Sequence, residues 1–360
     1  MEISNKFEKS FGKEKSKLYK ILSNAKMNVF VFEYAAALNN INFIAEGRAM
    51  LNLMIKGLRK DGIKAETIKN FTGSDLPEKI LENLCKSDYT ILIAPNYELL
   101  KISDFLNQHR DFNKVLISPA DALNKTLNKF NLYKELSNKI PLPKTTKFPD
   151  FVTEKKELNF PIIIKPIYGA GCESTFVFKD NKSYKAFAKT GRQKFNENFI
   201  VQEFVNGIHT SVCLFAGRDV YPVSLNRQLM KFEKTHIENV RCAKYDGSYV
   251  PFFNKLRKKV FEYSGIISKH LNLKGYIGMD FVIDTKNEKI YLIEINPRIT
   301  TSAIALSKAT NLNIAKLHIA CFKDEEILRK ELSEVKFLNT IEILKGKKNV
   351  KCRIKKKLVV

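Results

Sequence analysis

Cysteine and long apolar runs are both scarce in this sequence, and each shortage excludes a class of protein. The 360-residue chain has six cysteines, with no CxxC pair and no histidine at metal-ligand spacing, which argues against a disulfide framework or a zinc site. No apolar run approaches the roughly 20 residues that a membrane-spanning helix needs. Residues 1–26 carry seven lysines and no apolar core segment, so they do not read as a secretory signal. We therefore expect a cytoplasmic protein with reduced thiols and no membrane partner.

Acidic residues are also in the minority. The chain has 38 Asp and Glu against 62 Lys and Arg, a formal net charge of +24. This excess favours an anionic partner such as nucleic acid or a phosphorylated small molecule, although a lysine-rich solvated surface explains it equally well. The tail 345–357, with eight basic residues and no acid, supports a nucleic-acid-binding protein as the alternative function. No RNP string or zinc finger accompanies it, so nucleic acid is the less favoured partner.

Strand-like and helix-like segments alternate in the first third of the chain, which predicts an open parallel α/β domain over residues 27–118. Apolar runs predict strands at 27–34, 63–68, 89–95 and 115–118, and helical periodicity predicts helices at 44–58 and 76–86. A helix at about 120–139 then leads into the stiff connector Ile140-Pro141-Leu142-Pro143.

After Phe160 the pattern changes to antiparallel α+β. Strand-like runs are predicted at 160–166, 175–178, 198–205, 209–217, 220–225, 275–284 and 289–296, with a helix at about 254–272. The last segment, 335–360, predicts a terminal hairpin with a basic rim. The fold class is therefore α/β plus α+β.

Three oxygen-bearing side chains lie on the two strands at 275–296. Glu294 and Asn296 are two positions apart, so they point to the same face of one strand, and a hairpin partner can bring Asp280 beside them. Their neighbours are almost wholly apolar, and buried carboxylates in such surroundings require a cation. Two carboxylates and one amide oxygen suit a hard cation that also holds phosphate oxygens. We therefore predict a site for Mg²⁺ or Mn²⁺, with a solvated strand face as the alternative.

A lysine and a loop of small residues form a second candidate site. Lys165 ends an apolar strand, and the loop that includes Gly169, Gly171 and Ser174 follows it. Small residues let backbone N–H groups approach phosphate, and the ammonium neutralises the phosphate charge. The loop is neither a P-loop, since no GxxxxGK[ST] occurs in the chain, nor a complete GxGxxG motif. Taken alone it is equally compatible with an ordinary turn.

In combination these motifs resemble the ATP-grasp superfamily of carboxylate–amine ligases. The resemblance covers roughly residues 27–320 and depends most on the string EINPR with its upstream aspartate. It implies an N-terminal open α/β domain and two α+β lobes that enclose ATP. The implied boundaries are a basic extension at 1–26, the α/β domain at 27–118, a small lobe at 119–197, a large lobe with the metal site at 198–330 and a basic tail at 331–360.

The resemblance also assigns a role to each motif. Phosphate contacts are implied for Lys125 and Lys165, and adenine contacts for the segment that contains Gln202, Glu203 and Val205. His209 stands where many members carry a ribose-binding glutamate. The implied metal ligands are Asp280, Glu294 and Asn296, and Arg298 resembles the arginine that steadies phosphate or the reaction intermediate.

A closer resemblance is to the archaeal tyramine–glutamate ligase family of methanofuran biosynthesis. The segments that carry it are FEY, EGRAML, QEFVNG, PVSLNRQ and GYIGMDFVI followed by YLIEINPRITTS. It implies ATP-dependent amide formation, through an acyl phosphate, between the γ-carboxylate of L-glutamate and tyramine. A ligase that adds glutamate to a protein or to another amine is the alternative within the class. The implied partners are an amino acid and an amine, with a homodimer as a possible assembly.

Two further residues are candidates for substrate contacts. Glu33 ends the first predicted strand, and ligands gather at the carboxyl ends of strands in open α/β domains, so it is a candidate partner for a substrate ammonium group. A solvent-facing strand end is the alternative. Arg227, in the string LNRQ, is a candidate clamp for phosphate or carboxylate, and an exposed structural arginine is equally consistent. No serine, cysteine or histidine stands in a triad-like context, so the expected catalysis is electrostatic.

Overall fold

The computed structural model describes residues 27–153, 158–191, 194–346 and 348–358. The basic extension predicted at 1–26 lies outside these residues. Within the described part of the chain, no helix combines the length and the apolar character needed to cross a membrane.

A small parallel sheet begins the described chain. Its strands are β1 (Asn28–Glu33), β2 (Lys64–Glu66) and β3 (Tyr89–Ile93), and the accompanying helices are α1 (Tyr34–Ala37), α2 (Ile44–Lys60), α3 (Leu76–Cys85) and α4 (Asn96–Leu106). The central strand, β1, pairs in parallel with both of the others. Helices cover both faces of such a sheet, which is why its strands read as continuous apolar runs. This arrangement brings Glu33 to the carboxyl edge of the sheet, next to the chain that follows β3.

The fourth strand predicted at 115–118 is wrong. Val115 makes a single parallel bridge with Thr90, directly after a 3-10 turn at Arg110–Lys114. The N–H of Ile117 donates to the carbonyl of Val115 at 3.1 Å. This local bond takes the N–H out of any ladder and turns the chain away from the sheet.

The single helix predicted at 120–139 is also wrong, because the structure divides it into α5 (Ala120–Leu127) and α6 (Lys129–Leu136). The residue between them, Asn128, has an extended backbone, and its side chain accepts hydrogen bonds from the N–H groups of Phe130 and Asn131, both at 3.0 Å. An asparagine in this position caps the N-terminus of a new helix. Because of this break, Lys129 is the first residue of α6 and does not lie inside a long helix.

The remainder of the chain builds one large antiparallel sheet with helices packed on it. The strands are β4 (Thr145–Lys147), β5 (Ile162–Pro166), β6 (Phe176–Phe178), β7 (Phe199–Glu203), β8 (Ile208–Ala216), β9 (Val220–Lys234), β10 (Val240–Val250), β11 (Gly275–Asp284), β12 (Lys289–Asn296), β13 (Asn339–Lys345) and β14 (Val350–Lys357). The helices are α7 (Phe148–Thr153), α8 (Asn181–Lys189), α9 (Arg257–His270), α10 (Thr301–Ala309), α11 (Ile314–Lys323) and α12 (Glu325–Ser333). The main path of the sheet runs β12-β11-β8-β9-β10-β6-β5-β7-β4.

The strand β10 and the second half of β9 were not predicted from the sequence. Residues 240–250 mix charged, small and aromatic side chains without an apolar run, so they lack the usual strand signal. They form a strand because both neighbours supply a ladder: β9 on one side, and β6 and β13 on the other. The strand has a bulge between Tyr245 and Gly247. A Cβ atom on Gly247 would lie 1.9 Å from the carbonyl oxygen of Ile343. Glycine therefore allows the C-terminal hairpin β13–β14 to join this sheet.

The two sheets are connected by an apolar core around α2. This helix packs against α10 and α11, and Met54, Leu58, Ala305 and Leu317 are fully buried there. Burying a large apolar side chain contributes roughly 2 kcal/mol to stability. The packing holds the carboxyl edge of the small sheet against the strands that carry the predicted metal ligands, and a cleft lies between them.

Candidate active site

The two strands at the floor of the cleft place the predicted metal ligands together. Asp280 on β11 lies directly opposite Glu294 on β12, and Gly278 lies opposite Asn296. Burial and the charge of Glu294 raise the pKa of Asp280 to about 7. Among the described residues, no three His, Cys, Asp or Glu side chains together could hold a metal, so a cation here depends on the amide of Asn296 as well. Two crowded carboxylates and an amide oxygen are the donors that a hard divalent cation prefers, so the residues fit a metal site.

Two residues outside the large sheet hold the carboxylate of Glu294. The side-chain amide of Asn96, which follows β3 and is fully buried, donates to Oε1 at 3.3 Å. The ammonium of Lys129 lies 3.5 Å from Oε2 and is also buried. Sequence reasoning missed both residues. Each of the two residues holds one oxygen of the Glu294 carboxylate and so fixes its orientation.

The structure does not bring Lys125 into the cleft. Its ammonium pairs with Asp121 at 2.8 Å and with Glu135 at 4.0 Å, on the outer face of α5. Lys129, four residues later, lines the cleft instead. The sequence contains two Asn-Lys pairs, Asn124-Lys125 and Asn128-Lys129. The prediction of one continuous helix over 120–139 left no reason to prefer the second pair. The geometry therefore favours Lys129 for the phosphate contact that the sequence analysis assigned to Lys125.

Lys165 lies on β5 inside the cleft, as its position at a strand end predicts. It is 7% exposed, and its ammonium donates to Oε1 of Gln202 at 2.9 Å. The amide of Gln202 donates in turn to the hydroxyl of Thr145 at 2.8 Å. Burial and the nearby charge of Lys129 lower the pKa of Lys165 to about 8. Two neighbouring buried ammonium groups are stabilised by a polyanion between them, which is what a triphosphate provides.

The loop after β5 covers the same end of the cleft. Gly169 and Gly171 line it, whereas Ser174 does not. Gly171, Cys172 and Ser174 all have positive φ values, between 48° and 64°. Successive residues that alternate between right- and left-handed conformations turn their N–H groups to one side and form concavities that bind anions. The loop is therefore suited to lie over phosphate oxygens, although its sequence matches no phosphate-binding motif.

The predicted adenine segment contributes less to the cleft than expected. Glu203 accepts hydrogen bonds from the N–H and the side-chain amide of Asn159, both at 2.9 Å, and neither Glu203 nor Val205 lines the cleft. His209 does line it, and burial together with Lys165 lowers the pKa of this imidazole to about 4, so it is neutral near pH 7. An apolar patch that the sequence analysis did not identify lies beside it and is formed by Ile163, Met230, Phe232, Phe281 and Ile293. Such a patch is suited to a flat heterocycle.

Glu33 and Arg298 also line the cleft. Glu33 accepts the N–H of Ala36 at 2.6 Å, and burial raises its pKa to about 7. Arg298 donates to the carbonyl of Ile299 and to Oδ1 of Asn296, and its Nε is buried without a partner among the described residues. Arg227, by contrast, is exposed on β9, with its guanidinium 5.9 Å from the ring centre of Phe252. It lies outside the cleft, and Gln228, the next residue along, lines it instead.

Comparisons with known proteins agree with this geometry. The ATP-grasp domain family matches residues 126–302. A tyramine–L-glutamate ligase from Methanocaldococcus jannaschii is 29% identical over 323 residues, which cover 83% of this chain and 90% of that protein. The structure of an N5-carboxyaminoimidazole ribonucleotide synthetase in its ADP complex superposes with a TM-score of 0.67 at 16% identity, covering 89% of this chain and 81% of the other.

An L-amino acid ligase from Bacillus licheniformis superposes with a TM-score of 0.63 at 13% identity, covering 89% of this chain and 79% of the other. These likenesses span the small parallel sheet as well as the large antiparallel one. The cleft between the sheets collects Lys129, Lys165, the glycine loop and the carboxylate pair. The chain therefore contains an ATP-grasp domain at residues 126–302.

Proposed function

We propose that this ATP-dependent carboxylate–amine ligase joins the γ-carboxylate of L-glutamate to the amine of tyramine. The observation that carries the proposal is the layout of the cleft. One cleft is lined by Lys129, Lys165 and the oxygen ligands for MgATP together with Glu33 and Arg298, the charges that an amino acid requires, and Arg298 lies beside the metal ligand Asn296. The relative from M. jannaschii, whose similarity spans 83% of this chain, is named for the same two substrates.

The first step transfers the γ-phosphoryl group of ATP to the glutamate γ-carboxylate. A carboxylate oxygen forms the new P–O bond, and ADP leaves with the electrons of the broken one. Negative charge spreads over the phosphoryl oxygens in the transition state, so the protein acts by positioned cations. Lys129 and Lys165 are the protein cations that would neutralise this charge, and Asp280, Glu294 and Asn296 would hold a divalent cation that adds positive charge beside the phosphates. The oxygen-only ligand set suits Mg²⁺ and Mn²⁺ alike.

In the second step the neutral amine of tyramine attacks the acyl carbon of the phosphorylated glutamate. The C–N bond forms, the C–O bond to phosphate breaks, inorganic phosphate leaves and the amine nitrogen loses a proton. Arg298, whose Nε is buried with no partner in the described part of the chain, would stabilise the oxyanion of the tetrahedral intermediate or bind the α-carboxylate. Glu33 is the counterpart for the α-ammonium group of glutamate. Binding of that cation would favour the ionised form of Glu33, whose pKa is raised to about 7 in the free protein.

The test is an ADP-release screen in which amino acids are crossed with amines in the presence of MgATP. We expect the combination of L-glutamate and tyramine to give the highest turnover, with stoichiometric ADP and phosphate. Release of AMP and pyrophosphate would reject the acyl-phosphate route, and preference for another amino acid or amine would reject the proposed substrates. The homodimer and the cytoplasmic location expected from the sequence stay predictions.

A further inference from the structure

Lys345, in the basic C-terminal tail, contacts two residues that line the active-site cleft, Glu46 and Phe43. Lys345 is the last residue of β13, and it extends over the first turn of α2. Its ammonium lies 2.7 Å from Oε2 of Glu46, and the two side chains are 25% and 10% exposed. The same ammonium lies 5.1 Å from the ring centre of Phe43. An ion pair on an open surface contributes little, but removing one partner of a mostly buried pair leaves an uncompensated charge.

Glu46 is held on its other side as well. The hydroxyl of Thr301, at the start of α10, donates to Oε1 of Glu46 at 3.0 Å. Thr301 comes three residues after Arg298, so this bond ties α2 to the chain that carries the substrate arginine. Each oxygen of Glu46 therefore has a partner, one from the C-terminal hairpin and one from the large lobe. The carboxylate itself lines the cleft.

The residue after Glu46 is in contact with Glu33. A Cβ atom at Gly47 would lie 2.2 Å from Oε2 of Glu33, so only glycine allows the first turn of α2 to pack so closely against that carboxylate. Glu46 also acts electrostatically on Glu33 and on Arg298. If Glu46 were unpaired, it would compete for the guanidinium of Arg298 and would repel Glu33.

The phosphate-covering loop meets the same cluster. A Cβ atom at Gly171 would lie 3.1 Å from Cε1 of Phe43 and 3.5 Å from the ammonium of Lys345. The side-chain amide of Asn42 donates to Glu173 in that loop at 3.3 Å. The start of α2, the glycine loop and the end of β13 therefore meet along one rim of the cleft.

We propose that Lys345 is a positioning residue for the amino-acid substrate. It neutralises Glu46 and holds it against Thr301, so that Arg298 stays available for a substrate carboxylate and Glu33 for the substrate ammonium group. Lys345 acts through Glu46 and contacts no reacting atom. The inference rests on the proposed function, because the proposed function assigns Glu33 and Arg298 to the amino-acid substrate.

The experiment measures steady-state ADP release by the full chain with the amino acid that gives the highest turnover in the wild type. We expect Lys345→Met to raise KM for that amino acid by about 10-fold or more while KM for ATP changes by less than about threefold. Lys345→Arg keeps the charge and should restore KM to within about threefold of the wild type. The matched control is Lys351→Met, an exposed lysine on the neighbouring strand β14, which should leave both constants unchanged.

A double-mutant cycle with Glu46→Gln shows whether Lys345 acts through Glu46. We expect Glu46→Gln/Lys345→Met to have a KM no higher than Lys345→Met alone, because the neutral amide has no charge left to compensate. This double variant also keeps the test open if Lys345→Met alone does not fold. An unchanged KM in Lys345→Met, or strictly additive effects in the cycle, would overturn the inference.

The outcomes also separate this inference from the proposed function. If an amino acid other than glutamate supports turnover, the proposed substrate fails and the test of Lys345 proceeds with that amino acid. If glutamate is used and KM does not respond to Lys345→Met, only the role of Lys345 fails. If no amino acid supports ADP release by the wild type, both fail.

Discussion

The ammonium of Lys129 lies 3.5 Å from Oε2 of Glu294, and both side chains are at least four-fifths buried. This pair joins the start of α6 to the strand that carries the metal ligands. Because the amide of Asn96 holds the other carboxylate oxygen, Glu294 is oriented from two sides. The pair places a cation where the phosphates of a metal-bound nucleotide would lie.

Lys129→Ala should therefore impair catalysis far more than Lys125→Ala. Removing a charge that stabilises a transition state in a water-poor site typically costs about 10²- to 10³-fold in rate. We expect a loss of that size in kcat/KM for Lys129→Ala and a change of less than about threefold for Lys125→Ala, whose ion pairs are on the surface. Steady-state ADP release measures both. Equal losses in the two variants would restore Lys125 as the phosphate-binding lysine.

Lys165→Ala should abolish or cripple ATP binding while the protein remains folded. The buried ammonium has Gln202 as its hydrogen-bond partner, and the loss of one phosphate-neutralising charge should weaken nucleotide affinity by about 10²-fold. Isothermal titration with MgATP measures the affinity, and circular dichroism checks the fold. Affinity equal to that of the wild type in a folded variant would show that Lys165 is structural.

Glu294→Gln tests the metal site. The substitution keeps the shape and an oxygen for hydrogen bonding but removes one of the two negative ligands opposite each other on β11 and β12. We expect the Mg²⁺ concentration for half-maximal activity to rise about tenfold or more, and the maximal rate to fall. A metal titration of ADP release measures this. Unchanged metal dependence with near-normal turnover would remove Glu294 from the site and weaken the case for the whole ligand set.

A buried histidine away from the cleft predicts how stability depends on pH. The ring of His318 on α11 accepts the N–H of Tyr276 at Nδ1, at 3.0 Å, and its Nε2 lies 3.1 Å from the carbonyl of Leu116. Burial lowers its pKa from 6.5 to about 4. The unfolded chain therefore binds a proton at a higher pH than the folded one, and stability is lost as the pH falls from 6.5 towards 4.

His318→Gln should remove this contribution. The variant loses packing and hydrogen bonds, so we expect it to be less stable than the wild type at pH 7. The gap should then shrink by about 1.4 kcal/mol for each pH unit between 6.5 and 4, because only the wild type must bury a neutral imidazole at this position. His209, whose pKa is also lowered to about 4, is present in both proteins and cancels in the difference. Urea unfolding at pH 7, 6 and 5 measures the gap, and a constant gap would contradict the prediction.

Local patterns predicted the parts of the site that lie within one hairpin or one strand. Asp280, Glu294 and Asn296 could be placed together because side chains on a strand alternate in direction and the flanking residues are apolar. Lys165 and the loop after it followed from a strand end beside small residues. Lys125, Val205 and Arg227 do not line the cleft, and their predicted roles stay predictions. For Lys125 and Arg227 the sequence does not show which face of the element meets the cleft, since one turn of a helix or one residue of a strand changes that face.

The alternation of strands and helices and the antiparallel hairpin with its three oxygen ligands follow from the sequence, because they depend on residues that are near in the chain. The resemblance to ATP-grasp ligases also follows from the sequence, because it depends on short motifs. Only the tertiary structure decided that Lys129 approaches Glu294, that Glu46 lies between Thr301 and Lys345, and that residues 240–250 form a strand. The reason is physical. Lys129 and Glu46 have partners far away in the sequence, and residues 240–250 pair with the distant strands β6 and β13 as well as with the adjacent β9, so the local pattern of apolar and polar residues carries little signal for them.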